Sequence, residues 1–476
     1  MVARTHTFWL AGLDARRVEV EAHVYRGAPS FRVVGLADRS LQEARERVRS
    51  GVTSARFRFP RSRLIVNLAP AQERKEGTGL DLAIALAVLA ASKQAPLDRV
   101  EAVAAVAELG LDGALRPVRG ALAMAEAAAR AGVRELLMAP QNAAEAAQVS
   151  GLAVLAARSL NEAVDILCGR AQSAPLPPLR TSLSPAWPDL GDVRGQPRAR
   201  RALELAATGA HNLLMCGPPG SGKTMLARRL GGILPPPTPA ESLEISRVYS
   251  AAGLLTPGDR ADRRPFRAPH HSASSAALVG GASLRPGEVT LAHLGVLFLD
   301  ELPEFSRPAL EALRVPLEEG RVEIARAWGR AVMPSRSIVI GAMNPCPCGH
   351  SGDPERECTC PPQRLAAYRS RLSGPLLDRF DLHVDAPRVD AHGARGEESA
   401  RVAVRVAAAR ARLSEAPPEL SQAAGDLLDR AVRRGRLSGR ASDRATAVAR
   451  TIAALADCGT IADDHMAEAL SYRGFV

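Results

Sequence analysis

Lysine is almost missing from this chain of 476 residues, which carries 62 Lys+Arg of which only Lys75, Lys93 and Lys223 are lysine. In such a background a lysine marks a place where a compact, flexible point charge serves better than a planar arginine fork. Aromatic residues are also scarce, at 3%. The cores are therefore left to Ala, Leu and Val, and nucleic-acid binding through the backbone is favoured over stacking on bases. No stretch approaches the roughly 18 uninterrupted apolar residues of a membrane-spanning helix. The opening MVARTHTFWLAGLDARR has no signal-peptide shape, so a cytoplasmic location is expected. Seven cysteines in such a chain argue against a disulfide framework. Four of them fall between positions 346 and 360, which points to metal instead.

What is present is a net charge of +11 and an apolar fraction of 46%, enough for ordinary cores. The length accommodates about three domains. The basic balance suits nucleic acid or another polyanion, although arginine-biased composition gives the same sum.

Residues 213–230, LLMCGPPGSGKTMLARRL, read as a buried strand, a glycine-rich turn and a helix. The turn contains Gly217, Pro218, Pro219, Gly220, Ser221, Gly222, Lys223 and Thr224 and fits G-x-x-x-x-G-K-[ST]. Glycines let successive backbone N–H groups wrap a phosphate at a helix N-terminus. Lys223 would reach the β- and γ-phosphates, and the Thr224 hydroxyl would sit on Mg²⁺. Downstream, Val296–Leu299 is a continuous apolar run, as expected of a central parallel strand, followed by Asp300 and Glu301. Open α/β sheets bind ligands at that end of their strands. Asp300 would hold the Mg²⁺ shell and Glu301 would polarise the attacking water. The next strand, RSIVIGAMNPC, ends in Asn344, whose amide can position the same water. Arg379, in LLDRFD, suits the γ-phosphate of a neighbouring subunit in a ring. Arg444 opens a helix that could fold over the nucleotide, and Arg440, one turn earlier, competes for that role.

Residues 1–170 alternate strand and helix patterns, as an α+β or α/β domain does. Residues 171–190, rich in Pro and Ser, read as a semi-rigid linker. Within 346–360, Cys346, Cys348, Cys358 and Cys360 give C-x-C, nine residues, C-x-C. Four thiolates can make a closed tetrahedral Zn²⁺ site of structural character, with His350 as a spare ligand. The insert RPFRAPHHSASSAALVGGASLRPGE supplies Arg264, Arg267, His270, His271 and Arg285 as candidate contacts to DNA phosphates.

The first region resembles the proteolytic domain of Lon-type proteases: K-E-G before a helix, then ELGLDGALRPVRG, a helix, and AGVRELLMAP. That family uses a serine just after K-[DE]-G and a lysine at the start of the later helix. Here Lys75, Glu76 and Gly77 precede Thr78, the serine position holds Gly79, and the lysine position holds Leu122. With neither nucleophile nor base, the resemblance implies a Lon-like fold without protease activity.

The chain as a whole resembles an AAA+ ATPase of the magnesium-chelatase-like branch called YifB or ComM. FRAPHHSASSAALVGG, RPGEVTLAHLGVLFLDELPEF, LEALRVPLEEGRVEIARA, AMNPCPCG and RLSGPLLDRFDL carry that resemblance. It implies an α/β protein: a Lon-protease-like N-terminal domain over 1–170, an AAA+ P-loop core with a parallel sheet over 191–390, and a C-terminal helical lid over 391–476. It implies ATP with Mg²⁺, Lys223 and Thr224 as Walker A, and Asp300 and Glu301 as Walker B. Asn344 becomes sensor 1, Arg379 the arginine finger and Arg444 sensor 2. The resemblance further implies a hexameric DNA helicase promoting branch migration in natural transformation. A chelatase-like motor remodelling a protein or metal-inserting partner would share every one of these residues. An ATP-dependent protease is a third reading, disfavoured by the absent serine and lysine.

Overall fold

The computed structural model describes residues 1–35, 39–70, 75, 77–176, 178, 180–181, 187–256, 258–281, 284–326, 329–352, 356–388, 395–434 and 437–473. Glu76, residues 353–355 of the cysteine segment and the 390/391 boundary lie outside the described residues.

Val18, Val20 and Ala22 are buried and alternate with Arg17, Glu19 and Glu21, which makes Asp14–Tyr25 a strand with one apolar face. It pairs antiparallel with Val2–Ala11, from Val2↔His23 to Ala11↔Asp14. Both belong to a seven-stranded mixed sheet. Its order is Ser30–Val34, Arg63–Ala69, Asp14–Tyr25, Val2–Ala11, Val103–Val106, Glu135–Met138 and Ala153–Ala156. The helix Asp81–Ala91 is buried along its whole length, as a helix apolar on every side must be. Its one charge, Asp81, accepts from the Arg47 guanidinium at 2.7 and 3.2 Å. Burial pushes the Asp81 carboxyl up to about 6 against the pull of Arg47. The helices Pro140–Ala146 and Leu160–Leu167 complete this region.

The second sheet has five parallel strands in the order Phe266–Arg267, Val296–Leu299, Ile338–Met343, Leu213–Cys216 and Leu382–Asp385. Leu213–Cys216 is thus flanked by strands on both sides, and its residues pack into the core. Four helices, Ser399–Glu415, Gln422–Arg433, Gly439–Leu455 and Asp463–Ser471, share one hydrophobic core with that sheet and the helix Pro197–Gly209. In the Pro/Ser-rich stretch, Arg180–Thr181 pairs with Asp259–Arg260, and the Trp187 ring meets Phe266 edge-on at 6.0 Å. Residues 177, 179 and 182–186 lie outside the described set. Among the described residues, no helix is long and apolar enough to cross a membrane.

The two sheets are joined through the helix Pro239–Ala252, which packs on Ala121–Arg130. The Gly120 N–H donates to the Ser250 carbonyl at 2.9 Å. The buried Glu145 carboxylate accepts from the Ser250 hydroxyl at 2.6 Å and from the Leu122 N–H at 3.0 Å. Burial raises the Glu145 pKa, and these hydrogen bonds oppose it. Arg247 donates to the Leu13 carbonyl at 3.1 Å and pairs with Asp14. A cavity of about 430 Å³ lies in this joint, lined by Thr78, Gly79, Arg119, Ala251 and Arg285 among others.

Candidate functional site

The strand Leu213–Cys216 delivers the glycine-rich turn to the carboxyl end of the parallel sheet, where such folds leave a crevice. Gly220 and Gly222 have φ of +78° and +88°, a region that favours glycine. A Cβ on Gly217 would collide with the Ala386 carbonyl, so this position admits no side chain. The helix Lys223–Arg229 begins at the end of the turn.

Lys223 is 9% exposed. Its ammonium donates to the carbonyls of Gly217 and Pro218 at 2.7 and 3.0 Å and to the Asn344 side-chain oxygen at 3.2 Å. Burial lowers its pKa, with Asp300 opposing. All three acceptors are neutral, so a buried cation is held among dipoles at the mouth of the turn. Thr224 donates to Asp300 at 2.7 Å. The structure therefore brings together Lys223, Thr224, Asp300 and Asn344 from three neighbouring strands.

Glu301 has φ +51°, in the left-handed region, where a non-glycine residue costs on the order of 1 kcal/mol. Its carboxylate lies 3.1 Å from His271 Nδ1. A hollow of about 240 Å³ opens beside the turn, lined by Thr224, Arg228, His270, His271, Asp300 and Glu301 with their neighbours.

These residues fit a magnesium nucleotide. A cation with only neutral partners can accept phosphate, two glycines shape the turn, and the Ser221 hydroxyl is buried without a partner. Thr224 and Asp300 present hard oxygens, the donors Mg²⁺ prefers. When bound, Mg²⁺ would neutralise charge on the phosphate oxygens.

The arginines are distributed differently from the sequence expectation. Arg379 is 7% exposed and does not project from the chain. It donates to the Arg314 carbonyl at 3.0 Å and is also held by the Pro375 carbonyl and the Glu318 carboxylate. Arg440 reaches the same Glu318 at 3.4 Å, whereas Arg444 pairs with Asp381 at 2.8 Å.

Two of the five insert residues named as candidate DNA contacts are engaged by partners within the fold. Arg264 is tied to the Pro235 and Leu294 carbonyls and to Glu241, at 2.7, 2.9 and 2.8 Å. Arg267 forms a two-pronged pair with Glu288 at 2.7 and 2.8 Å. Both guanidiniums are occupied within the fold. His270 and Arg285 remain exposed, and His271 is half-buried against Glu301.

The cysteine segment does converge. The sulfurs of Cys346, Cys348, Cys358 and Cys360 all lie within 4.8 Å of one another.

Gln196 escaped the sequence reading. It stands at φ +53° ahead of Pro197–Gly209, and its amide donates to the Ser221 carbonyl at 3.3 Å and to the Pro387 carbonyl. The G-Q-P triplet before a helix was the available signal. Arg228, in the hollow, had none in a chain so rich in arginine.

Family comparisons agree with this geometry. The family described as magnesium chelatase, subunit ChlI, matches residues 189–394. Subunit ChlI of Mg-chelatase matches 20–142, and the subunit ChlI C-terminal family matches 396–473. The chain is 42% identical to a protein named YifB from Salmonella typhimurium, over 99% of this chain and 97% of that protein. It is 42% identical to competence protein ComM of Haemophilus influenzae, over 98% of this chain and 96% of that protein. Over 41% of its length it is 34% identical to the Holliday junction branch migration complex subunit RuvB of a Mycobacterium species, covering 43% of that protein.

Proposed function

Because the chain belongs to the magnesium-chelatase-like AAA+ ATPases of the YifB and ComM kind, we propose that it is an ATP-driven ring motor acting on DNA. In this reading it moves branched DNA, as the name of its RuvB relative suggests. The observation that carries the proposal is the contact between His271 and Glu301. His271 belongs to the basic insert, and Glu301 is the residue placed to polarise water. A strand gripped by His270 and Arg285 would therefore act on the group that starts hydrolysis.

In the proposed cycle, Lys223 binds the phosphates, and Thr224 with Asp300 holds the Mg²⁺ shell. Glu301 and Asn344 orient the attacking water. Arg379 serves the nucleotide of the next subunit in a hexamer, leaving Glu318 when the ring closes, and Arg444 reports from the C-terminal helices. Residues 1–170 form a non-proteolytic Lon-like domain, 171–190 a linker, 191–390 the motor and 391–476 the lid. The four cysteines hold one structural Zn²⁺.

The test is strand displacement and branch migration on forked and three-stranded DNA, with Lys223→Ala as control. ATP-dependent unwinding together with DNA-stimulated ATPase is expected. Absence of both removes the DNA reading and favours a chelatase-like motor on a protein partner.

A further inference from the structure

The cysteine cluster is not placed at random: it starts two residues after Asn344 and lies against the phosphate-binding turn. From this placement we infer that the Cys346–Cys348–Cys358–Cys360 site binds Zn²⁺ as a brace that holds the nucleotide turn in its phosphate-wrapping shape. The inference rests on the zinc reading above and adds a function to it.

Three observations carry it. The first is the geometry of the sulfurs. Cys346 and Cys348 are 3.3 Å apart, and Cys358 is 3.6 Å from each. A disulfide would need about 2.05 Å. A tetrahedral Zn²⁺ with bonds of about 2.3 Å sets its sulfurs about 3.8 Å apart. A backbone N–H also aims at the sulfurs, that of Ser351 at Cys346, 3.2 Å away. Such a donor stabilises thiolates that share a cation.

The second observation is what the segment touches. Gly349 has φ +83°, and a Cβ there would collide with the Pro219 ring of the nucleotide turn. The backbone between two cysteines thus lies flat on Pro219. Residues 349–357, GHSGDPERE, carry no large apolar side chain to keep the backbone there, and four bonds to one ion would do so.

The third is how the segment is anchored. On its entry side, Asn344 accepts from Lys223 at 3.2 Å. On its exit side, the buried Tyr368 of the helix Pro362–Arg369 lies near the Asn344 backbone. Both ends of the metal-closed loop therefore return to the residue that touches the catalytic lysine. A loop closed this way resists the displacement of Pro219 that would spread the turn.

The test uses the full chain purified without chelator. Zinc is measured by atomic emission, and MgADP affinity by titration of a fluorescent ADP. About one zinc per chain is expected. Stripping it with a zinc-selective chelator should weaken MgADP about tenfold, the scale of a misplaced binding loop, and added Zn²⁺ should restore it. Recovery separates this from unfolding. Gly349→Ala keeps all four cysteines. It should retain zinc and still lose affinity, because its methyl pushes on Pro219. A chain purified with no zinc overturns the zinc reading and the brace together. A zinc-loaded chain whose MgADP affinity survives both chelation and Gly349→Ala overturns the brace alone.

Discussion

The chain holds two buried lysines beside glycine-containing loops, and they have opposite surroundings. Around Lys223, two carbonyls and Asn344 hold the ammonium, and beside it Thr224 and Asp300 line a hollow. Lys75 is fully buried and donates to the Pro70 carbonyl, while the neighbouring Gly79 faces Val106 and Val118 and Leu122 is buried. At the position that the Lon resemblance gives to a lysine, this chain has a leucine whose N–H donates to Glu145, a carboxylate that also accepts from Ser250 of the motor region. The former kind of place keeps unspent polar capacity facing a hollow. The latter has turned its polar groups inward and become a joint. A binding site and a structural joint differ less in residue type than in whether the polar groups are already satisfied.

The comparison breaks most sharply if the two lysines behave alike. Lys223→Ala should lower ATP turnover by at least about 100-fold, since it removes the cation on the transferred phosphate. Lys75→Ala should leave turnover per folded molecule unchanged and lower the melting temperature. Phosphate release and thermal denaturation of both variants check this. A large loss of turnover in Lys75→Ala would show the two places to be coupled catalytically.

Acid should separate the two regions further. His383 lies in the strand beside Leu213–Cys216, is 7% exposed, and burial holds its pKa down at about 4. A depressed histidine contributes stability that is present above its unfolded value of about 6.5 and lost as pH falls toward the folded one. By pH 5 the motor core should have lost about 2 kcal/mol through this residue. Glu145 works in the other sense, because burial raises its pKa. Its contribution is present below the unfolded value and lost as pH rises through the folded one, so acid strengthens the joint. Hydrogen exchange at pH 8 and pH 5 should show protection falling in the strand Leu382–Asp385 and holding at Leu122. The His383→Phe variant should remove most of the difference in the motor core.

How much of this was legible in the sequence depends on whether a position had a reason to stand out. The turn 217–224, the acidic pair after Val296–Leu299 and Asn344 were readable because each is punctuation at the end of an apolar run. The sheet order that brings them together was consistent with that pattern. The arginines were not readable in the same way. Arg264 and Arg267 look like phosphate contacts in a basic insert, yet each meets a carboxylate, Glu241 from a preceding helix or Glu288 at the end of the insert itself. Charge in a sequence does not say whether its partner lies within the fold. The strand Ala153–Ala156 and the helix Pro140–Ala146 carry no distinct sequence pattern, because alanine-rich text gives little contrast between faces. Glu301 was named for its chemistry, but its contact with His271 required the fold.

The smallest effect is the most pointed test of the joint. By the resemblance to Lon-type proteases Gly79 stands at the serine position, and nothing about its backbone demands glycine, since its φ is not positive. A Cβ there would meet Val118 and Val106 at 3.5 and 3.6 Å, ordinary contact distances. Gly79→Ser should therefore fold with a stability change within about 1 kcal/mol, measured by urea denaturation. It should also fail to cleave casein. A serine hydroxyl needs a base to take its proton, and the base position holds Leu122, buried, with its backbone N–H committed to Glu145. Restoring the nucleophile alone leaves the joint intact and the chemistry absent. Casein cleavage by Gly79→Ser would mean that another group can serve as base there, and the joint would then have to be counted as a site.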